Sequence, residues 1–299
     1  MRVVVVGATG LVGGQVVDEL LKSGVSVQAI VRDPERAKPL AERGVVLHRG
    51  DLKDAGSLRR ALDEIGSGLD ALITTAYGYS RRQKGDSLSS VDDIGNQNLI
   101  SAAEAAGVKR FVFTSVLTAD KAVSVPHFHQ KARTEDVLAA SGLDWIALRP
   151  GGFLDTLLEF NIDNLRKGRL IVPSDHEAPA STILSRDVAR CLAEAATKGN
   201  SGERVDLGMD RPTNIIEIAA LLSKALGREI VPSRPPGLIM SVMGLFSPAM
   251  RETMVAMKYV STGQYVADVT RQTELFGPPR TLEASVDAWV ESNAGALQQ

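Results

Sequence analysis

Gly7, Gly10 and Gly13 stand three residues apart, directly after an unbroken run of valines at residues 3–6. A short, β-branched apolar run is what a strand buried in a parallel sheet looks like. The glycines that follow each need a reason. Gly7 lets the chain turn sharply off the strand, because glycine takes positive φ without a Cβ clash. Gly10 lets backbone approach a pyrophosphate, and Gly13 lets the next helix pack tightly on the sheet. That helix opens at Leu11 and carries Val16, Val17, Leu20 and Leu21 at helical spacing before Gly24. Its first N–H groups and the positive end of its dipole suit a diphosphate. A bare glycine pattern is weak, but strand, turn and helix in this order point to a bound dinucleotide.

The end of the second strand bears on which dinucleotide that is. An acidic residue there accepts hydrogen bonds from the ribose 2′-hydroxyl of NAD, whereas an arginine pairs with the 2′-phosphate of NADP. Arg32 stands at that point, with Asp33 beside it and Arg36 one turn on. Two readings follow from these residues: Arg32 on the phosphate, or a solvated Arg32 with Asp33 on the ribose. No metal site is expected, since His127 and His129 form an i, i+2 pair without a third ligand. Cys191 is the only cysteine, so internal disulfides and thiolate metal clusters are excluded. Its apolar helical surroundings mark it as a small buried side chain.

The elements that position these residues alternate along the first half. Residues 25–31 read as strand two, 34–43 as a short helix closed by Gly44, and 45–48 as strand three, leading into Gly50-Asp51. A helix over 54–65, strand four over 71–76, and a long helix over 91–106 follow. Strand five spans 110–115 and strand six 145–150. This predicts an α/β fold with a doubly wound parallel sheet, the Rossmann fold, with ligands beyond the carboxyl ends of the strands. Past Pro150 glycines and prolines break the alternation. A helix through Ala196 preceded by Ser185-Arg186-Asp187, a strand at 204–207 and a helix over 213–226, capped by Thr213 or Asn214, are expected there. Residues 1–150 plus about 181–212 are assigned to dinucleotide binding, and about 151–180 and 213–299 to a smaller, C-terminal substrate-binding lobe.

The chain has 299 residues, 44% of them hydrophobic and 23% charged, enough for one large core or two smaller ones. A formal charge of −2 at pH 7 gives no electrostatic reason to expect nucleic acid. The N-terminal valine run is too short for a signal-peptide core, and the longest apolar segment, residues 237–246, is too short for a membrane span. A cytoplasmic protein is expected. Two segments are candidates for shaping a substrate pocket. Residues 77–90, with Arg81, Arg82 and Lys84, are placed for a lid that attracts anions, or are a solvated surface run. Residues 235–246, rich in methionine, are suited to wall an apolar pocket with Phe153 and Leu154, or to form ordinary core.

Gly7-Ala8-Thr9-Gly10-Leu11-Val12-Gly13 resembles the start of the extended and atypical short-chain dehydrogenase/reductases, in particular the NmrA-like group. Arg32-Asp33-Pro34, Gly50-Asp51-Leu52, the stretch from Ala106 to Ser115, the stretch from Ser141 to Gly151, and Asp187-Val188-Ala189 fit the same family in order and spacing. The likeness spans about residues 1–226. It implies cofactor contacts from Gly7, Thr9, Gly10, Leu11, Val12, Gly13, Arg32, Asp51, Leu52, Ala76 and Lys131, and it favours NADP(H) over NAD(H). Active members of the wider superfamily carry Tyr-x-x-x-Lys with a Ser or Thr at the end of strand five. Here Lys131 fills the lysine register, Ser115 (with Thr114 beside it) the strand-five position, and His127 stands in place of the tyrosine.

Histidine can still act, because its unperturbed pKa lies near physiological pH. His127 is the first candidate to protonate an acceptor oxygen, with His129, Tyr77 and Tyr79 behind it; each is otherwise a solvated or packing residue in a loop. The expected function is an NAD(P)H-dependent oxidoreductase passing hydride to a small hydrophobic carbonyl, quinone or related acceptor. Quinone reduction suits a site without the tyrosine, because water or a weak acid suffices for the oxygens. The alternative is a non-catalytic NADP(H)-binding redox sensor of the NmrA-like type, reporting through a protein partner. Epimerisation of a nucleotide-linked sugar is disfavoured, since that chemistry needs a positioned base.

Overall fold

The computed structural model describes residues 1–78, 84–235 and 248–298. Tyr79, Arg81, Arg82 and the apolar segment from residue 236 to 246 therefore lie outside the described residues. The elements run β1 (Arg2–Val6), α1 (Leu11–Lys22), β2 (Ser26–Val31), α2 (Lys38–Ala41), β3 (Val46–Arg49), α3 (Ala55–Ile65) and β4 (Ala71–Thr74). A π-helical turn, Leu88–Asp93, leads into α4 (Ile94–Ala105), β5 (Arg110–Thr114), α5 (Pro126–Ala140) and β6 (Asp144–Pro150). Next come β7 (Gly152–Phe153), α6 (Leu154–Glu159), α7 (Ile162–Arg166), β8 (Arg169–Ile171) and β9 (Thr182–Ile183). Then follow α8 (Ser185–Ala195), β10 (Glu203–Leu207), α9 (Ile215–Leu226) and β11 (Val231–Ser233).

The main sheet has seven strands in the order β10-β6-β5-β4-β1-β2-β3. The pairings among β1 to β6 are parallel, and Val3 to Val6 pair with residues of β2 on one side and β4 on the other. Burial on both faces explains the unbroken valine run, since each of these side chains is 4% exposed or less. One face carries α3, α4 and α5, whose Leu58, Leu62, Leu99, Ile100 and Leu138 share a core with Phe111 and Phe113. On the other side α1 packs against α8. Strand order reverses between β1 and β4, so the crevice at their carboxyl ends is the switch point where such sheets bind ligands.

The chain divides into two compact units, Met1–Arg149 with Ser185–Val205, and Pro150–Leu184 with Asp206–Gln299. The excursion back to the first unit is thus shorter than the expected 181–212. Thr182 and Ile183 pair with Gly152 and Phe153, Ala180 bridges Thr213, and Gly208 is held by Gln272, so both flanks belong to the second unit. That unit has its own core of Leu154, Leu158, Leu165, Leu222, Val286 and Trp289. Asn214 caps α9 by accepting from the Glu217 N–H at 2.9 Å, and Thr213 donates to the Glu217 carboxylate at 2.8 Å.

Several expected boundaries shift for local reasons. The helix expected over 34–43 shrinks to α2, because Pro39 has no N–H to give the preceding turn and the Asp33 carboxylate draws the Glu35 and Arg36 N–H groups into a turn. The helix expected over 91–106 starts instead as the π-helical turn, capped reciprocally by Ser87 and Ser90, before α4 begins. His127 and His129 sit in the first turn of α5 rather than in a loop, since Pro126 occupies the helix start where its fixed φ is favourable.

A buried charge cluster ties α5 to the sheet. Glu135, 1% exposed, accepts from the Ser115 hydroxyl at 2.5 Å, Arg149 Nε at 2.9 Å, Arg149 Nη2 at 2.5 Å and Arg204 Nε at 2.8 Å. Arg204 also lies over the Trp145 ring, 5.1 Å from its centroid. Removing one partner of a buried ion pair strands the others and costs about 3–5 kcal/mol. Glu135→Ala is therefore expected to lower unfolding free energy by about that amount, read by urea denaturation; a wild-type midpoint would show that the cluster holds nothing together.

Candidate functional site

Gly7 turns the chain off β1 at φ +90°, a conformation that favours glycine. A Cβ added there would stand 2.6 Å from Thr75 Oγ1 and 2.9 Å from the Ala76 nitrogen, so β1 and β4 end against each other. A Cβ on Gly13 would stand 2.1 Å from the Gly7 carbonyl oxygen, so the first turn of α1 lies directly on the β1 turn. Gly10 caps α1 without any side-chain hydrogen bond, and no acidic residue occupies the first turn. Thr9 and Leu11 are exposed, Gly10 and Val12 half-buried. The geometry is a cradle that a Cβ would fill, at a helix end offering backbone donors, and it fits a diphosphate.

The residues expected to contact the adenosine half already have partners within the protein. Arg32 gives a 2.8 Å hydrogen bond to Asp86 Oδ2, while Asp33 is spent on its own turn and on Arg36. Lys53 reaches the other oxygen of the same Asp86 carboxylate at 2.6 Å. Asp51 Oδ1 accepts from the Lys53 N–H at 2.9 Å, and Leu52 packs into the core beside α3 and α4. Ala76, half-buried, leans on that same core at the end of β4.

Beyond β4 and at the start of α5 three candidates meet. Spacing of i, i+4 on α5 puts His127 and Lys131 on one face, and Tyr77 comes to them from the end of β4. The Tyr77 and His127 rings lie 4.9 Å apart between centroids, tilted by 41°. Lys131 Nζ sits 5.8 Å from the Tyr77 centroid and 4.9 Å from that of Phe113. It donates to the Thr114 carbonyl at 3.1 Å and pairs with Asp92 Oδ1 at 3.1 Å, with both side chains almost fully buried. Asp92 in turn accepts from the Gly78 N–H at 2.9 Å, joining the loop after β4 to the lysine. Thr134 and Asn96 donate to the Asp92 carbonyl, fixing the turn that carries it.

Burial, reinforced by the nearby Lys131 ammonium, lowers the His127 pKa to about 3. The ring is therefore neutral at ordinary pH, a hydrogen-bonding group and not an imidazolium acid. His129 is exposed and stands apart from this cluster. The Ser115 hydroxyl is committed to Glu135, so strand five contributes the Thr114 carbonyl to Lys131. Between β5 and α5, Thr118 holds φ +57°, an uncommon conformation for a β-branched residue, in a buried turn. Cys191 is fully buried, and burial pushes its thiol up to about 12. Asp92, Glu135, Lys53 and Asp86 escaped the sequence reading. Each is recognisable only through a partner brought close by tertiary folding.

The chain matches the sequence profile of a family described as NAD(P)H-binding over residues 7–198. It is 30% identical to an NAD(P)H azoreductase of Xenophilus azovorans, over 76% of this chain and 75% of that protein. It is 28% identical to the photosystem II assembly factor Ycf39 of Synechocystis, over 99% of this chain and 92% of that one. Among solved structures, an NADPH-dependent quinone oxidoreductase of Escherichia coli complexed with NADPH superimposes with a TM-score of 0.79 at 26% identity, covering 96% of this chain and 99% of that chain. No helix among the described residues is long and apolar enough to cross a membrane. With the glycine cradle in place and the profile covering more than half of its length, the chain belongs to the NAD(P)H-binding family, in line with the atypical short-chain dehydrogenase/reductases that its motifs resemble.

Proposed function

We propose that this protein is an NADPH-dependent reductase acting on a small hydrophobic carbonyl, quinone or related acceptor. The observation that carries the reading is the meeting of Tyr77, His127 and Lys131 directly after Thr75 and Ala76, the residues against which Gly7 packs. The chain segment that Gly7 packs against thus runs straight on into Tyr77 of the polar cluster. The azoreductase and quinone oxidoreductase relatives support the same class of reaction.

Each residue has a stated part. Gly10 and the first N–H groups of α1 bind the diphosphate, and Arg32 binds the 2′-phosphate. Lys131, fixed by Asp92 and the Thr114 carbonyl, presents its ammonium to a ribose hydroxyl. The nicotinamide, when bound, supplies the hydride. His127 is neutral, so it donates an imidazole N–H to the acceptor oxygen and stabilises the negative charge that develops there. Water then delivers the proton. The Tyr77 ring, exposed on one side and lying beside His127, gives a planar acceptor an apolar face. Catalysis here is mainly positioning, with one hydrogen bond to the reacting oxygen.

A second reading is a protein that binds the nucleotide and acts through a partner without turnover. It is favoured by the near full-length similarity to an assembly factor and by the buried Asp92 that already engages Lys131.

NADPH consumption measured against a panel of quinones, azo dyes and aldehydes separates the two, since only a reductase consumes cofactor in proportion to acceptor. His127→Phe is expected to lower acceptor-dependent turnover by about a hundredfold with NADPH affinity unchanged; wild-type turnover would remove His127 from the mechanism. An imidazolium acid would lose activity as pH rises through its pKa, whereas a ring titrating at about 3 is neutral throughout the working range. The acceptor kcat/KM should therefore show no His127-dependent inflection between about pH 5 and 8. Arg32→Ala should weaken NADPH by about tenfold or more and leave NADH nearly untouched; equal losses for the two would contradict the 2′-phosphate contact.

A further inference from the structure

Three loops bring their charges to one point at the adenosine end of the sheet. Arg32 follows β2, Lys53 follows β3, and Asp86 lies in the connection from β4 to the π-helical turn. The Asp86 carboxylate is 3% exposed and takes both cations, Oδ2 from Arg32 Nη1 at 2.8 Å and Oδ1 from Lys53 Nζ at 2.6 Å. The two cations are far more open, at 37% and 26% side-chain exposure. Among the described residues, two positive groups thus face one carboxylate at the strand ends where the adenosine ribose of a dinucleotide lies.

We infer that Arg32 and Lys53 together form the seat of the NADPH 2′-phosphate, and that Asp86 fills this seat in the free protein as an internal substitute for the phosphate. The inference rests on the NADPH reading above and adds two residues to it, a second cation and a competing anion. A carboxylate and a phosphate share the geometry that matters, oxygens a bond length either side of a central atom and able to accept from two donors at once. A phosphate dianion matches the pair of cations more fully than a single carboxylate charge does. The 2′-hydroxyl of NADH carries no charge and has no means of displacing Asp86. Cofactor choice is then set by a competition: NADPH must displace Asp86 and is repaid by both cations, whereas NADH leaves the carboxylate where it stands.

The test uses the whole protein and two probes of the adenosine end alone, 2′,5′-ADP and 5′-AMP, by isothermal titration. Asp86→Asn keeps the shape and removes the charge; it is expected to tighten 2′,5′-ADP by about tenfold while 5′-AMP changes by about twofold or less. Lys53→Ala is expected to weaken 2′,5′-ADP by about tenfold and to spare 5′-AMP. Thermal melting of each variant verifies folding, with Lys53→Gln and Asp86→Ser as replacements if either fails. If wild type prefers 2′,5′-ADP and Arg32→Ala removes that preference, but neither Asp86→Asn nor Lys53→Ala changes it, the inference is overturned and the NADPH reading stands. If no variant, Asp86→Asn included, distinguishes the two probes, the NADPH reading falls and the inference falls with it.

Discussion

The contact on which the site depends is backbone against backbone. At Gly13 the helix α1 comes so near the turn after β1 that a single methyl group would overlap the Gly7 carbonyl. Gly7 itself presses on Thr75 and Ala76. These two approaches gather a helix N-terminus and the ends of two neighbouring strands into one place. Besides backbone, only the Thr75 hydroxyl lies among the nearest atoms at both glycines, and neither leaves room for a Cβ. A larger residue at either position would push α1 off the sheet, and the diphosphate cradle and the path of the chain toward Tyr77 would both move.

Around that cradle, buried carboxylates decide where the basic groups stand. Asp92 holds Lys131, Glu135 holds Arg149 and Arg204 along with the Ser115 hydroxyl, and Asp86 holds Arg32 and Lys53. A buried carboxylate without a partner is costly, so each of the three keeps its cations close. The same packing makes His127 neutral: desolvation and the Lys131 ammonium both disfavour a second positive charge. Under the proposed function, His127 stands in the register that the family resemblance gives to a tyrosine. A neutral imidazole N–H, like a phenol, is a hydrogen-bond donor at ordinary pH, which is the part the proposed function gives to His127.

How much of this was legible in the sequence depends on the range of the interaction concerned. The β1–α1 unit is local, and the valine run, glycine spacing and helical stripe specify it within some twenty residues. The parallel sheet follows from repetition of that pattern. Pro39 and Pro126 were harder, because proline both breaks a helix and begins one, and only the surrounding hydrogen bonds show which. The lysine register and the strand-five position are assigned by family likeness alone, and the hydrogen bond from Ser115 to Glu135 had no local signal, since twenty residues separate them. Arg32 was recognisable as a candidate phosphate ligand; its pairing with Asp86, 54 residues on, needed the folded chain. Single acidic residues carry no local signature when their partners are brought by other strands.

The central claim is that this chain moves hydride from NADPH to an acceptor, and the most direct measurement is the isotope effect on that step. The purified protein, loaded with NADPH deuterated at the transferring position, is mixed rapidly with a quinone and the loss of reduced cofactor is followed. The account predicts acceptor-dependent oxidation that is slowed severalfold by deuterium, as expected when a C–H bond breaks in the rate-limiting step. Tight NADPH binding with no oxidation, whatever the acceptor supplied, would contradict it and make the protein a nucleotide-binding partner protein instead.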